Sequence, residues 1–366
     1  MFIRKNNNRE NNHYMELALV HASKTLGNTK KNPSVGCVIV KDGVLISASS
    51  TGINGTPHAE HNAIKNCKSK VKGSTLYSTL EPCSNYGKTP PCVNLIVKRK
   101  FKKVFFSLKD PDFRSFDKSK IKFKKNKIIV HKGLNLNHVN NFYRSYIKSK
   151  KNDFPFVTCK IALSKDYFLK HKKNLWITNY YSRRRVHIMR SEHDCILTSY
   201  KTISDDNSTL SCRIEGLKDF SPHRIILDKN LSISLSSNII KTSKKIKKLI
   251  FFNKLKKKKI KILKRNKIKL VKMNLINHNF DLREIIKKVK SMGYSRVFLE
   301  CGLNLTENFL KNKLIDDLYI FISSKKIGKN GKLNFKFKIN NYLKNKKFIH
   351  ENVNLFGDKL LFYKIK

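Results

Sequence analysis

Apolar and polar positions along the 366 residues fall into two successive runs of strand and helix patterns. Between His13 and Gly27, Met15, Leu17, Ala18, Leu19, Ala22 and Leu26 recur at helical spacing, and Gly27 is suited to end the helix. Val35–Lys41 and Val44–Ser50 read as strands joined by Asp42-Gly43, a hairpin turn signal. A helix is expected from His58 to Lys70, a strand over Ser74–Thr79, a helix from Pro90-Pro91 through Lys100, and a strand over Lys103–Ser107. Proline favours the first helical turn, so Cys92 is predicted near a helix N-terminus, where the dipole favours a thiolate. A helix-strand-strand-helix-strand-helix-strand order predicts an α/β layer domain.

Residues 115–155 turn polar, lysine-rich and aromatic, and a new unit is read from Asp153-Phe154-Pro155-Phe156. Strand patterns at 156–163, 194–199, 223–228, 248–252, 295–300 and 316–322 alternate with helical ones at 182–192, 283–291 and 304–313. Two α/β domains are therefore predicted, 1–150 and 151–366. Within 241–272, the Ile/Lys alternation at 260–270 predicts a half-buried strand with lysines facing solvent, in preference to a nucleic-acid-binding tract.

Charge changes this picture less than its size suggests. Lys and Arg number 79 against 25 Asp and Glu, a formal net charge of +54, which on its face points to a polyanionic partner. The excess is spread over both halves and accompanies abundant Asn, Ile and Phe, residues with A/T-rich codons. It is read as compositional drift, and nucleic acid is not expected as a partner, although such a field still attracts phosphorylated small molecules. No apolar run reaches the roughly 18–20 residues of a membrane span. The segment MFIRKNNNRENNHY has no apolar signal region, so a cytoplasmic location and no membrane partner are expected. Eight cysteines scattered along the chain are not a disulfide framework.

The chemistry is concentrated in residues 58–92. His58-Ala59-Glu60 is followed by Pro82-Cys83 and Pro91-Cys92. A lone His or buried Cys is ordinarily core; an imidazole and two thiols in this strand–helix context form a soft ligand set suited to Zn²⁺. Three protein ligands leave a fourth tetrahedral position for water, whose pKa zinc lowers to about 7. Glu60, two residues from His58, is placed to shuttle protons without ligating. The H-x-E…P-C…C arrangement is that of zinc deaminases acting on nucleobase-like rings.

Spacing narrows the choice. Eight residues separate Cys83 from Cys92, where cytidine and tRNA-adenosine deaminases carry C-x-x-C. The segment Glu81-Pro82-Cys83-Ser84-Asn85-Tyr86-Gly87-Lys88-Thr89-Pro90-Pro91-Cys92, with Asn32-Pro33 before it, closely resembles the deaminase domain of the bifunctional riboflavin-biosynthesis deaminase/reductase family. The second half resembles that family's reductase domain, in order: Trp176-Ile177-Thr178, Arg190, Asp194-Cys195-Ile196-Leu197, Thr202 to Arg213, Arg224-Ile225-Ile226-Leu227-Asp228, Glu300-Cys301-Gly302 and Ile315-Asp316-Asp317.

The resemblance, which spans roughly residues 13 to 330, implies a cytidine-deaminase-like zinc domain followed by a dihydrofolate-reductase-like domain. It implies Zn²⁺ and NADPH as cofactors and a small phosphorylated pyrimidine as substrate, and leaves a homo-oligomer open. It places Glu60 as the catalytic acid/base; His58, Cys83 and Cys92 on zinc; and Asn32 and Lys88 on the deaminase substrate. Ala162, Trp176, Thr202, Asp206 and the loop starting at Gly302 would meet NADPH; Asn174, Arg190, Leu210, Arg213 and Glu300 would meet the ribose-phosphate substrate. The chain departs from the family at Thr51, Asn62 and Asn85, usually His, at Tyr167 and Cys301, usually Gly, and at Ser208, usually Pro. Tyr167 replaces a residue type used at positive φ or close approach. Both activities are expected to survive, with weaker substrate binding. The alternatives are a nucleic-acid (tRNA) base deaminase, favoured by charge but opposed by the cysteine spacing and the second domain, and a binding module with structural zinc, opposed by the open fourth position and Glu60.

Overall fold

The structure is a computed structural model, and it describes all residues except Met1, Lys88, 113–117, 174–175, 243–245 and 337–338, with the side chains of residues 2–7 also left out. It divides into two compact units, Met1–Asn152 and Asp153–Lys366.

The first unit contains α1 (Phe2–Ser23), β1 (Gly36–Lys41), β2 (Val44–Ser50), α2 (Ala59–Asn66), β3 (Thr75–Leu80), α3 (Cys92–Lys98), β4 (Lys103–Leu108), α4 (Lys118–Lys125), β5 (Ile129–Lys132) and α5 (Leu136–Lys151). Its five strands lie in the order β2-β1-β3-β4-β5. β1 pairs antiparallel with β2 and β3, and β3, β4 and β5 run parallel. The alternation along β1 serves both faces of the sheet. Cys37 and Ile39 join a core with Ala59, Ala63, Val93 and Ile96, whereas Val38 and Val40 pack with Met15 and Ala18 of α1. A Cβ at Gly36 would lie 1.7 Å from the Ala18 carbonyl oxygen, so only glycine lets α1 sit this close to the strand. α5 falls within the stretch read from sequence only as polar and lysine-rich; its amphipathic face buries Val139 and Tyr143.

The second unit contains β6 (Phe156–Leu163), β7 (Phe168–His171), α6 (Tyr180–Ser191), β8 (Cys195–Ser199), α7 (Tyr200–Asp206), β9 (His223–Leu227), α8 (Asn238–Lys241), β10 (Lys248–Phe252), α9 (Lys257–Arg265) and β11 (Ile268–Lys272). It continues with β12 (Leu275–Ile276), β13 (Asn279–Phe280), α10 (Leu282–Ser291), β14 (Arg296–Leu299), α11 (Leu303–Lys311), β15 (Asp317–Ile322), β16 (Gly331–Asn334), α12 (Asn340–Leu343), β17 (Phe348–His350) and β18 (Lys359–Lys364). The main sheet has nine strands in the order β11-β10-β9-β8-β14-β6-β15-β18-β17. It is parallel from β11 to β15, with β18 and β17 added antiparallel. One face packs on α10 and α11 through Ile285, Ile286, Val289 and Phe309. The other packs on α6, α7 and α9 through Val186, Met189, Ile203 and Leu263. The carboxyl ends of parallel strands are where open α/β sheets hold ligands. Here β8 runs into α7, and β14 runs into Glu300-Cys301-Gly302 and α11.

One expectation is corrected. Residues 260–270 are not a single strand: helix α9 ends at Arg265, and only Ile268–Lys272 is a strand. Ile260 and Leu263 are three residues apart, on one helical face, and Leu263 is buried by it. True alternation begins at Ile268, where edge strand β11 exposes Lys269 and Lys272, charges that discourage further strand addition.

Tyr167 stands at φ +69°, the left-handed region that the sequence comparison anticipated for a glycine. Its carbonyl accepts from the Phe335 amide at 2.9 Å, and the Lys336 ammonium sits over its ring at 4.5 Å. Tyr167→Gly and Tyr167→Ala remove the same contacts, but only glycine relieves the backbone. Tyr167→Gly is therefore expected to be about 1 kcal/mol more stable than Tyr167→Ala in urea unfolding. Equal stabilities would mean that the turn carries no strain.

Candidate active sites

The first site is assembled from two helix starts. His58 is the N-cap residue of α2, Glu60 lies in its first turn, and Cys92 is the first residue of α3. Cys83 lies beyond the end of β3; its carbonyl accepts from the Val93 amide at 3.2 Å, and its sulfur accepts from the Cys92 amide at 3.3 Å. His58 Nδ1 is 3.4 Å from both Cys83 Sγ and Cys92 Sγ. Zinc bonds of about 2.0–2.3 Å in tetrahedral geometry put neighbouring ligand atoms about 3.5 Å apart, so the imidazole already stands at that spacing from both sulfurs, with all three donor atoms within 4.8 Å of one another. They are the one such His/Cys/Asp/Glu group among the described residues.

The electrostatics agree. The hydrogen bond with Cys92, then that with His58, pulls the Cys83 thiol down against its burial, the direction that favours a thiolate ligand. Glu60 is only 3% exposed and accepts from the Ser78 hydroxyl at 3.3 Å. Burial, followed by the Cys83 charge, raises its carboxyl above the usual range, as suits a group that takes up and releases a proton.

Nearby positions have been put to structural use. Asn32 donates to the Gly55 carbonyl at 2.8 Å, and Gly55, at φ +93°, leaves no room for a Cβ beside it. Asn62 donates to the Ser50 carbonyl at 2.9 Å, and Thr51 Oγ1 accepts from the Val35 amide at 2.9 Å. These replacements for histidine tie the loop between β2 and α2 to its neighbours. Lys88 lies outside the described residues, as does Asn174.

The second site lies on the α6 face of the large sheet. Arg190, near the end of α6, grips Glu300 with two bonds: Nε to Oε2 at 3.0 Å and Nη2 to Oε1 at 2.8 Å. The fork uses the planar match between guanidinium and carboxylate. Burial alone would push the Glu300 carboxyl up; Arg190, then Lys160, outweigh it and hold it at about 2. Arg190 is thus a buried half of an ion pair and not a solvated helix residue.

Lys160 was not singled out from sequence, because one lysine among the apolar residues of β6 looks like an outward-facing position. It is turned inward, 3.8 Å from Glu300 Oε1, and burial lowers its ammonium against the pull of that carboxylate. His187 was missed as well. Its Nδ1 is 2.8 Å from the Ser211 carbonyl, its Nε2 is 3.4 Å from Arg213 Nη2, and burial, then Arg190, lowers it to about 4.

The other expected residues of this unit have local settings of their own. Leu210 is buried at φ +50°, and Arg213 is exposed. Thr202 is in the first turn of α7, its amide donating to Ser199 Oγ at 3.3 Å. Asp206 closes α7, 3.9 Å from the Lys170 ammonium. Gly302 caps α11, and Ala162 is half-buried on β6. Trp176 is 58% exposed, with the Arg183 guanidinium 4.8 Å over its ring, so it is not a core residue.

Comparison with known proteins bears on both sites. The family model of the cytidine and deoxycytidylate deaminase zinc-binding region matches residues 8–108, and that of the RibD C-terminal domain matches residues 155–352. A riboflavin biosynthesis protein RibD from Aquifex aeolicus is 32% identical over 326 residues, 86% of this chain and 87% of the relative. The chain belongs to the RibD family. A RibD from Actinobacillus pleuropneumoniae is 30% identical over 86% of this chain and 84% of its own length. Among solved structures, a diaminohydroxyphosphoribosylaminopyrimidine deaminase/5-amino-6-(5-phosphoribosylamino)uracil reductase from Thermotoga maritima has a TM-score of 0.83 at 26% identity, covering 98% of this chain and 99% of that one. Acinetobacter baumannii RibD has a TM-score of 0.81 at 25% identity, with the same coverage. A deaminase-like zinc domain followed by a dihydrofolate-reductase-like domain is therefore the fold class, as expected from sequence. RibD membership implies zinc in the first unit and a nicotinamide cofactor in the second. No described helix is long and apolar enough to cross a membrane.

Proposed function

We propose that this chain catalyses two consecutive steps of riboflavin synthesis. The first is hydrolytic deamination of 2,5-diamino-6-ribosylamino-4(3H)-pyrimidinone 5′-phosphate; the second is reduction of the ribosyl group to ribityl with NADPH. The observation that carries the reading is the His58–Cys83–Cys92 donor triangle with buried Glu60 beside it, in one chain with the Arg190–Glu300–Lys160 cluster.

His58, Cys83 and Cys92 would hold the metal, which when bound supplies a Lewis acid that makes water acidic enough to deprotonate near neutral pH. Glu60 would take one proton from the attacking water and pass it to the ring nitrogen, then take a second from the added hydroxyl and pass it to the departing amine, which leaves as ammonia. The Glu60 carboxyl is raised by burial, then by the Cys83 charge, the direction that helps it hold a proton between the two transfers. Asn32 and Lys88 are assigned to the pyrimidine and its phosphate.

In the reductase, Arg213 is the exposed cation left to meet the substrate phosphate, because Arg190 is engaged by Glu300 and the Ser211 carbonyl. Arg190 then acts chiefly by fixing Glu300, which is assigned with Asn174 and Leu210 to the ribose part of the substrate. Thr202, Asp206, Ala162, Trp176 and the loop from Gly302 are assigned to NADPH.

A nucleic-acid base deaminase is not favoured, since the reductase domain and the long cysteine spacing have no place in it. Mass spectrometry of products from the zinc-loaded protein tests the reading. Ammonia should leave without NADPH, and two hydrogens should be gained when NADPH is present. Absence of both reactions would overturn the proposal, and deamination alone would overturn its second half.

A further inference from the structure

Arg224, in strand β9, is 1% exposed and among the largest fully buried side chains. A buried guanidinium normally sits against a carboxylate, but the charge acting on this one is that of Arg190, of like sign. Lys248, 3% exposed, stands in register with it on β10 and spends its ammonium on the Ile246 carbonyl at 3.1 Å. One Arg224 nitrogen, Nη1, is buried without a hydrogen-bond partner among the described residues. As a core element this arrangement is unfavourable; a methionine of similar volume would pack there without burying an unpaired charge.

What Arg224 does is hold a loop. Its Nε donates to the Thr209 carbonyl at 3.1 Å. Two residues on, the Ser211 carbonyl accepts from Arg190 Nη1 at 3.0 Å. Two carbonyls of one short segment are thus gripped from different elements, β9 and α6. Between them Leu210 stands at φ +50°, in the left-handed region that disfavours a leucine. The chain leaves this turn toward Arg213, whose amide meets His187 Nδ1 at 3.3 Å.

We infer that Arg224 is a positioning residue for the reductase substrate: by pinning the Thr209 carbonyl it sets the left-handed turn at Leu210 and so aims Arg213. This rests on the assignment of Leu210 and Arg213 to the substrate made above. Arg224 touches no substrate itself, and its orphaned nitrogen follows from its task, because the guanidinium lies where the loop needs one donor and not where its own charge is balanced.

The test uses the full-length, zinc-loaded protein. Arg224→Met, Arg213→Ala and the double variant are compared by reductase kinetics, with the deaminated pyrimidine and NADPH varied separately. Arg224→Met and Arg213→Ala should each raise KM for the pyrimidine about tenfold, with kcat within about threefold and KM for NADPH unchanged; because the two residues act through one contact, the double variant should be little worse than Arg213→Ala alone. A general loosening of the fold would instead lower kcat and raise both KM values. Should Arg224→Met fail to fold, Arg224→Lys keeps a buried donor on β9 and should raise the pyrimidine KM by about threefold. An unchanged KM in the Arg224 variants beside a raised KM in Arg213→Ala, or fully additive effects in the double variant, overturns the inference alone. An unchanged KM in Arg213→Ala overturns the substrate assignment and this inference with it.

Discussion

Replacing Glu60 by glutamine is expected to lower deaminase turnover by about 10²–10⁴-fold while the protein keeps its zinc and its NADPH-dependent reduction of the deaminated substrate. Glutamine has the same shape and can still accept from the Ser78 hydroxyl, which stands 3.3 Å from Glu60 Oε1. It cannot take up the proton that the attacking water must lose. The donor triangle should persist, because His58 Nδ1 stays within 3.4 Å of both sulfurs and a glutamine amide can still reach the Cys92 sulfur that Glu60 hydrogen-bonds. Ammonia release and metal content, measured on one sample, check the prediction. A Glu60→Gln protein that keeps zinc and deaminates at more than about a tenth of the parent rate would remove Glu60 from the proton path. One that loses zinc would make Glu60 part of the metal site.

Glu300→Gln carries the largest expected effect on stability. It leaves the part-buried Arg190 and Lys160 without their carboxylate, and breaking a pair so largely withdrawn from water costs up to about 3 kcal/mol. Reductase activity should be lost, and the unfolding transition of the second unit should move to lower urea, with deaminase turnover retained. The pH dependence follows from the same carboxyl, held at about 2 in the fold against an ordinary 4.5. The unfolded chain takes up this proton first as pH falls. The carboxylate's contribution is therefore complete above about pH 4.5 and is lost progressively toward about pH 2. Parent and Glu300→Gln proteins should thus converge in stability across that interval. A constant difference down to pH 2 would show that Glu300 is not the group holding the charge balance of the site.

The contrast between the two sites bears on how much of a function can be read from a chain. His58, Glu60, Cys83 and Cys92 were legible because each chemical group sits next to a local structural signal. His58 and Glu60 open a helix, Cys83 follows a strand, and the paired prolines announce the helix that begins at Cys92. Short-range rules place all four, leaving the fold only to bring three chain segments together. In the reductase, Arg190, Arg213 and Glu300 could be named from the order of weak motifs, but their relations could not. Lys160 was hidden because an isolated lysine in an apolar strand has the same pattern whether it points to solvent or toward a buried carboxylate 140 positions away. The helix α9 was hidden for a related reason: in a lysine-rich stretch with few apolar residues, strand and helix periodicity differ by too few positions to separate.

By itself the sequence determined the two α/β units, the His58–Cys83–Cys92 group with Glu60 beside it, and the reaction class, because these depend on residue identity and on spacing within single elements. Tertiary structure alone decided that Arg190 is committed to Glu300, that Lys160 and His187 belong to the same cluster, that Tyr167 and Leu210 are held left-handed, and that Arg224 is buried facing no carboxylate. The physical reason is that charge pairing, desolvation and backbone strain are properties of groups distant in the chain. Each is set by which side chains the parallel sheet brings to one face, and no local pattern records that choice.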